Sequence, residues 1–264
     1  HEYFHSIQEG YDTYEKAWLA EATAAWIEDE VYDDLNGNYQ FLPDWFREPH
    51  IALDYDHSSS TDTGSAINGE ENKDHWYGSW IFFKYISEHM KPSSGNGFET
   101  IKNIWEKSIT FDSFEKDYSI DAIDGGVKLS NPDYSFTGAL NGMALANALL
   151  STTGTYSYIE ADEYTTYNSS DAGRIFRKDQ DVSTYTNGYT YNFTTGTLMR
   201  YAMHYIKLTF LPNSTNVLFE PYTITTSFQV NVISYNSAIP TIYAIDVGTA
   251  TSLNFNSAPD SIIF

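Results

Sequence analysis

Near residue 150 the spacing of apolar side chains changes from helical to alternating, and no single type of element satisfies both halves of the chain. Before that point they recur every three or four residues, as in Trp18, Leu19, Ala22, Ala25 and Trp26. After it, Ala202, His204, Ile206, Leu208 and Phe210 alternate with Tyr201, Met203, Tyr205, Lys207 and Thr209. Ile224, Thr226, Phe228, Val230 and Val232 repeat this pattern, and 241–247 and 251–256 continue it. Asn187-Gly188 marks a hairpin, because both residues tolerate the positive φ of a type I′ turn. The expectation is an α+β chain. A mainly helical subdomain spans 1–150, and an antiparallel β-sandwich-like domain spans 151–264.

Within the first part the pattern predicts helices over 1–9 and about 14–33, with loop over most of 40–73. Phe41, Leu42, Trp45 and Phe46 would cover a hydrophobic face. A buried helix capped by Asp74 runs to His89, and an amphipathic one follows over Phe98 to Ser108. Another runs from Ser113 to Ile123 and ends at Gly125-Gly126, and the last covers about 133–150. Asp62-Thr63-Gly64-Ser65 spells the aspartic-protease tetrad. It follows a polar run and has no second copy to supply a partner carboxylate, so it reads as a turn.

The opening pentapeptide His1-Glu2-Tyr3-Phe4-His5 reads H-E-x-x-H. On a helix, positions i and i+4 share a face, so both imidazoles can meet one cation. Glu2 stands to the side of that pair, where a carboxylate can take a proton from an activated water. A catalytic zinc takes three protein ligands, so a third is required. Gly10 ends the first helix and Asp12-Thr13 can start a second, which after so short a loop runs back along the first. Glu21 would then face the histidines, and Glu28, two turns further on the same face, is the alternative ligand. The plain alternative is an exposed polar helix start.

The combination of H-E-x-x-H with Trp18-Leu19-Ala20-Glu21-Ala22-Thr23-Ala24 resembles the gluzincin metallopeptidases, in particular the M1 aminopeptidase-like branch with its W-L-x-E-x-x-A block. The longer run from His1 to Pro43 is similar to a group of secreted metalloprotease-like proteins of bacteria and archaea. The gap from His5 to Glu21 is shorter than in the M1 enzymes. The resemblance implies Zn²⁺ held by His1, His5 and Glu21, Glu2 as the general base, and a protein or peptide substrate. It also implies a hydrogen-bond donor to the oxyanion at the start of a following helix, a part that Tyr77 or His75 could take.

Composition sets the context. The chain has 264 residues, enough for a substantial core, and no cysteine, which excludes disulfides and thiolate metal sites. With 36 acidic and 14 basic residues its net charge is −22, which argues against nucleic acid or an anionic membrane surface as partner. No apolar run reaches transmembrane length. The 22 tyrosines and abundant Ser, Thr and Asn fit an exported or cell-surface protein. Asn168, Asn192 and Asn213 each open an N-x-S/T acceptor for N-glycosylation. Asp34, Asn36 and Asn38 place oxygens at alternate positions, as in part of a structural Ca²⁺ loop, or form a solvated turn. His204 reads as a packed strand residue.

A zinc helix ordinarily has a turn ahead of its first ligand, so an upstream segment carrying a substrate-groove strand is expected. Were His1 a true amino terminus, its amine and ring could bind copper in a histidine brace, an oxidase reading that leaves Glu2, His5 and Glu21 as coincidences. A structural reading stands beside these: an adhesion or filament module, self-assembling at a surface, with a vestigial metal site.

Overall fold

The structure, a computed structural model, describes residues 1–55, 75–111, 119–164, 178–182, 200–203, 205–209, 216–219, 229–236, 239–245, 251–254 and 261–263. The chain divides into two units, 1–176 with 199–203, and 177–198 with 204–264. The aspartic-protease-like tetrad, Asp74, Asn187-Gly188, His204 and the three glycosylation acceptors lie outside the described residues.

The first unit is helical. Its elements are α1 (Glu2–Gln8), α2 (Ala17–Val31), a 3-10 turn (Gly37–Phe41), α3 (Leu42–Arg47), α4 (His75–Gly78) and α5 (Trp80–His89). Then come α6 (Gly97–Phe111), α7 (Ser119–Ser130), α8 (Phe136–Leu149) and α9 (Ala161–Tyr164). Helix α2 is buried at Trp18, Leu19, Ala22, Thr23, Ala24, Ala25, Trp26 and Asp29, so little of it is left for solvent. It packs against α1, α4 and α5, and its run of alanines lets those neighbours approach closely. Helix α5 is buried from Trp80 through Ser87, which places it in the interior. The Trp80 indole donates to the Asn38 carbonyl, and the Tyr39 ring lies parallel to it at 5.8 Å.

Three local expectations need correction. Residues 40–47 are helical, because Leu42, Trp45 and Phe46 fall at helical spacing and all three are buried. The helix expected over 74–89 is broken at Ser79, where Gly78 sits so tightly on Trp45 that an added Cβ would lie 2.9 Å from the Trp45 Cβ. Helix α7 continues through Gly125-Gly126, since Gly126 lets α7 touch the backbone of α6 at Ile104. The helical unit also continues past 150. Residues 151–164 belong to it, and 200–203 return to it through Met203 N–H to Pro49 O at 2.8 Å and Leu53 N–H to Tyr201 O at 3.2 Å.

The second unit is built of strands: β1 (Lys178–Val182), β2 (Tyr205–Thr209), β3 (Asn216–Phe219), β4 (Val230–Asn236), β5 (Ile239–Ile245), β6 (Thr251–Asn254) and β7 (Ser261–Ile263). Five of them form a sheet in the order β1-β2-β7-β4-β5, and β3 pairs with β6. The pairings are antiparallel except that β1 runs parallel to β2. The longest ladder joins β4 to β5, from Val230 opposite Ile245 to Asn236 opposite Ile239.

Candidate metal centre

The site is carried by the α1–α2 pair. Gly10 N–H bonds to Ile7 O and Tyr11 N–H to Gln8 O, which closes the end of α1. The Asp12 carboxylate accepts from Tyr14 N–H within the connection, and α2 starts after Lys16, later than the sequence suggested. The helices run in opposite directions: Gln8 at the end of α1 touches Ala20 and Thr23, while His1 at its start reaches Glu21 and Glu28.

One ligand atom from each of His1, His5 and Glu21 lies within 4.8 Å of the others, and among the described residues this is the one such His/Asp/Glu cluster. His1 Nε2 is 3.0 Å from Glu21 Oε2, and His5 Nε2 is 3.6 Å from the same oxygen. The two imidazoles meet edge to face, with centroids 4.7 Å apart. Ligands held at zinc distances in a tetrahedron are ~3.3 Å apart, so these separations fit a zinc-sized cation. The Nδ1 atom of His1 is 2.6 Å from Glu28 Oε1. Glu28, the alternative ligand, therefore sits behind His1 and holds its ring. The carboxylate-histidine arrangement is one that orients metal-binding imidazoles. Behind His5, Nδ1 lies 2.6 Å from Gln8 Oε1.

All three ligand side chains are partly exposed, at 21–24 % of their full area, so solvent reaches the cluster. Partial burial raises the pKa of Glu21 above the ordinary carboxylate range, and the nearby Glu2 charge adds to this. His5 and a hydrogen bond from Tyr77 act against it. Glu2 itself is exposed on the first turn of α1, close enough for its charge to be felt at Glu21.

The two expected oxyanion donors part company. Tyr77 is at the cluster: its ring stacks on Phe41 at 4.8 Å, lies 5.9 Å from the His1 ring, and its hydroxyl serves Glu21. His75 is not. It is 1 % exposed, stacked on Trp45 at 4.7 Å, with Nε2 3.1 Å from the Ala52 carbonyl. Burial holds its pKa down at about 3, so the ring is a neutral core group. One residue of α4 thus faces the site while another two positions earlier faces the core, as the helical period requires. The 34–38 segment, where the sequence suggests a calcium loop or a solvated turn, lies around the start of the 3-10 turn. Asp34 is exposed, Asn36 donates to Glu163 at 3.0 Å, and Asn38 is buried.

Sequence reading missed Gln8, whose only signal was its place three residues after His5 on the same face. It also missed the buried Lys84, 2.7 Å from Asp29, 3.0 Å from Glu160 and 3.3 Å from Glu30. That group links α2, α5 and the segment before α9. Comparison with protein-family models, with curated proteins and with solved structures gave no match.

Proposed function

We propose that this chain carries a zinc-dependent peptidase site on its helical unit. The observation that supports the reading is the convergence of His1 Nε2 and His5 Nε2, at 3.0 and 3.6 Å, on Glu21 Oε2 of the neighbouring helix. Glu28 and Gln8 occupy the far nitrogens of the two rings, so the near nitrogens are the ones turned to the cluster. A zinc ion held by these three residues supplies a Lewis acid that polarises a carbonyl and acidifies water. Glu2, exposed beside the cluster, accepts the proton of the attacking water and delivers it to the leaving amine. The Tyr77 hydroxyl, bonded to Glu21 at rest, is the donor within reach of charge that develops on the carbonyl oxygen.

The gluzincin-like pattern of H-E-x-x-H with a downstream Glu points the same way, and with it a protein or peptide substrate met outside the cell or at its surface. We read the strand-built unit as a sandwich-like domain. Among the described residues no helix is long and apolar enough to cross a membrane. The copper-brace reading needs His1 Nδ1 beside the backbone amine, and here that nitrogen is taken by Glu28.

The test is Glu2→Gln. The substitution keeps size and leaves His1, His5 and Glu21 intact. The expected result is zinc bound as in the parent chain, with peptide hydrolysis lost by ~100-fold or more, the scale of a general base. Hydrolysis unaffected by the change rules out the assigned base. No hydrolysis by either protein, with assembly or attachment that survives the change, supports the structural reading instead.

A further inference from the structure

Gln8 is 3 % exposed and makes three side-chain hydrogen bonds, each of which fixes the next. Its Nε2 lies 2.9 Å from the Ala20 carbonyl. A carbonyl cannot donate, so the amide nitrogen must be on that side. The same nitrogen lies 2.9 Å from Thr23 Oγ1. Thr23 spends its own proton on the Leu19 carbonyl at 2.8 Å, so its oxygen accepts from Gln8 and, at 3.3 Å, from the Trp105 indole of α6. With the amide orientation settled, Gln8 Oε1 faces His5 Nδ1 at 2.6 Å. A carboxamide oxygen is an acceptor only, so Nδ1 must carry the hydrogen.

We infer that Gln8 is a positioning residue that holds a hydrogen on His5 Nδ1 and so leaves Nε2, the nitrogen turned toward Glu21, as the one open to a cation. The assignment rests on the zinc reading for its purpose but not for its chemistry. A histidine free in solution favours the other tautomer, in which Nε2 carries the hydrogen and cannot bind a cation. The lock therefore removes the cost of switching tautomer when metal arrives, and it fixes the ring in place. Thr23 and Trp105 extend the lock into the core. The position of α6 against α2 thereby bears on His5 through Trp105, Thr23 and Gln8. The Thr23 hydroxyl is fully buried and Trp105 is 2 % exposed, so water does not compete for these bonds.

The experiment uses the full chain, metal-free and labelled with ¹⁵N, at about pH 9, well above the ordinary imidazole range. Long-range ¹H–¹⁵N correlation then reports which ring nitrogen of His5 is protonated. The parent chain is expected to show the Nδ1–H form. Gln8→Met, close in volume, with no donor and only a weak acceptor, is expected to shift His5 toward Nε2–H. It should also weaken Zn²⁺ binding ~10–100-fold in equilibrium titration with zinc alone. Thr23→Val, which leaves the Ala20 bond, should fall between the two. An Nε2–H ring in the parent chain overturns the assignment, as does a Gln8→Met chain with tautomer and zinc affinity unchanged. A parent chain that takes up no zinc yet shows Nδ1–H removes the peptidase reading while supporting the role of Gln8.

Discussion

Lys84 brings a single positive charge to Asp29, Glu30, Glu88 and Glu160, at a site where its own side chain is 7 % exposed. One ammonium cannot balance four carboxylates in a medium that solvates them poorly, so part of the negative charge is held as protons. Glu88 shows this best. Burial pushes its carboxyl from an ordinary 4.5 up to about 7, against the pull of Lys84. The folded chain thus holds a proton on Glu88 that the unfolded chain has released between these two values. Stability from this group is full below about 4.5 and is lost as pH rises through about 7. His75 acts in the opposite sense. Its folded pKa, lowered to about 3 from 6.5, costs stability as pH falls below 6.5, and it is silent above. Between pH 6 and 8 Glu88 should therefore take about 1 kcal/mol off the stability, and His75, which is largely protonated at pH 6 only in the unfolded chain, should offset a good part of that in denaturant titrations of the parent chain. In Glu88→Gln that share of the slope should vanish. An unchanged slope would remove Glu88 from the account.

At the scale of elements, the sequence showed most where the demand was local. The helical period of α2 and the H-E-x-x-H spacing of α1 could be read directly, because they depend on residues three and four apart. The end of α7 could not. Gly125-Gly126 looks like a helix stop by propensity, yet Gly126 is needed because α6 lies against it. A Cβ there would come 2.6 Å from both the Cα and the N of Ile104. That demand comes from a chain segment some twenty residues away, and no local pattern carries it. Gly126→Ala should therefore destabilise the protein, although alanine is the better helix former by ~1 kcal/mol. Overpacking of this kind costs ~1–3 kcal/mol, and two helix backbones have little room to give. Chemical denaturation checks the sign. A more stable Gly126→Ala chain would mean that α6 and α7 are not in backbone contact. The same limit explains His75 and Tyr77: both lay in the right turn of sequence, and only packing against Trp45 and Phe41 decided which faced the cluster.

Over the whole molecule, the change of period near 150 announced a helical part followed by strands, but not where the chain would leave the helical unit for good. Residues 200–203 rejoin it after an excursion into the second unit. There Arg200 pairs with Asp54 at 2.7 Å, and Tyr201 packs edge-on against Phe136 at 4.9 Å. Two backbone bonds, to Pro49 and from Leu53, complete the attachment. A chain cut after 176 loses all of these, whereas one cut after 203 keeps them. The shorter piece should melt lower, by several degrees for a loss of ~1–2 kcal/mol. Equal melting temperatures would show that the 200–203 segment adds nothing to the helical unit.

The proposed peptidase activity depends on a cation held by His1, His5 and Glu21. Equilibrium zinc titration of the full chain beside Glu21→Ala, with metal content measured on both, tests it most directly. One zinc per parent chain is expected, with binding weaker by on the order of 100-fold or more once the carboxylate is gone. A parent chain that binds no zinc, or a Glu21→Ala chain that binds it equally well, would contradict it.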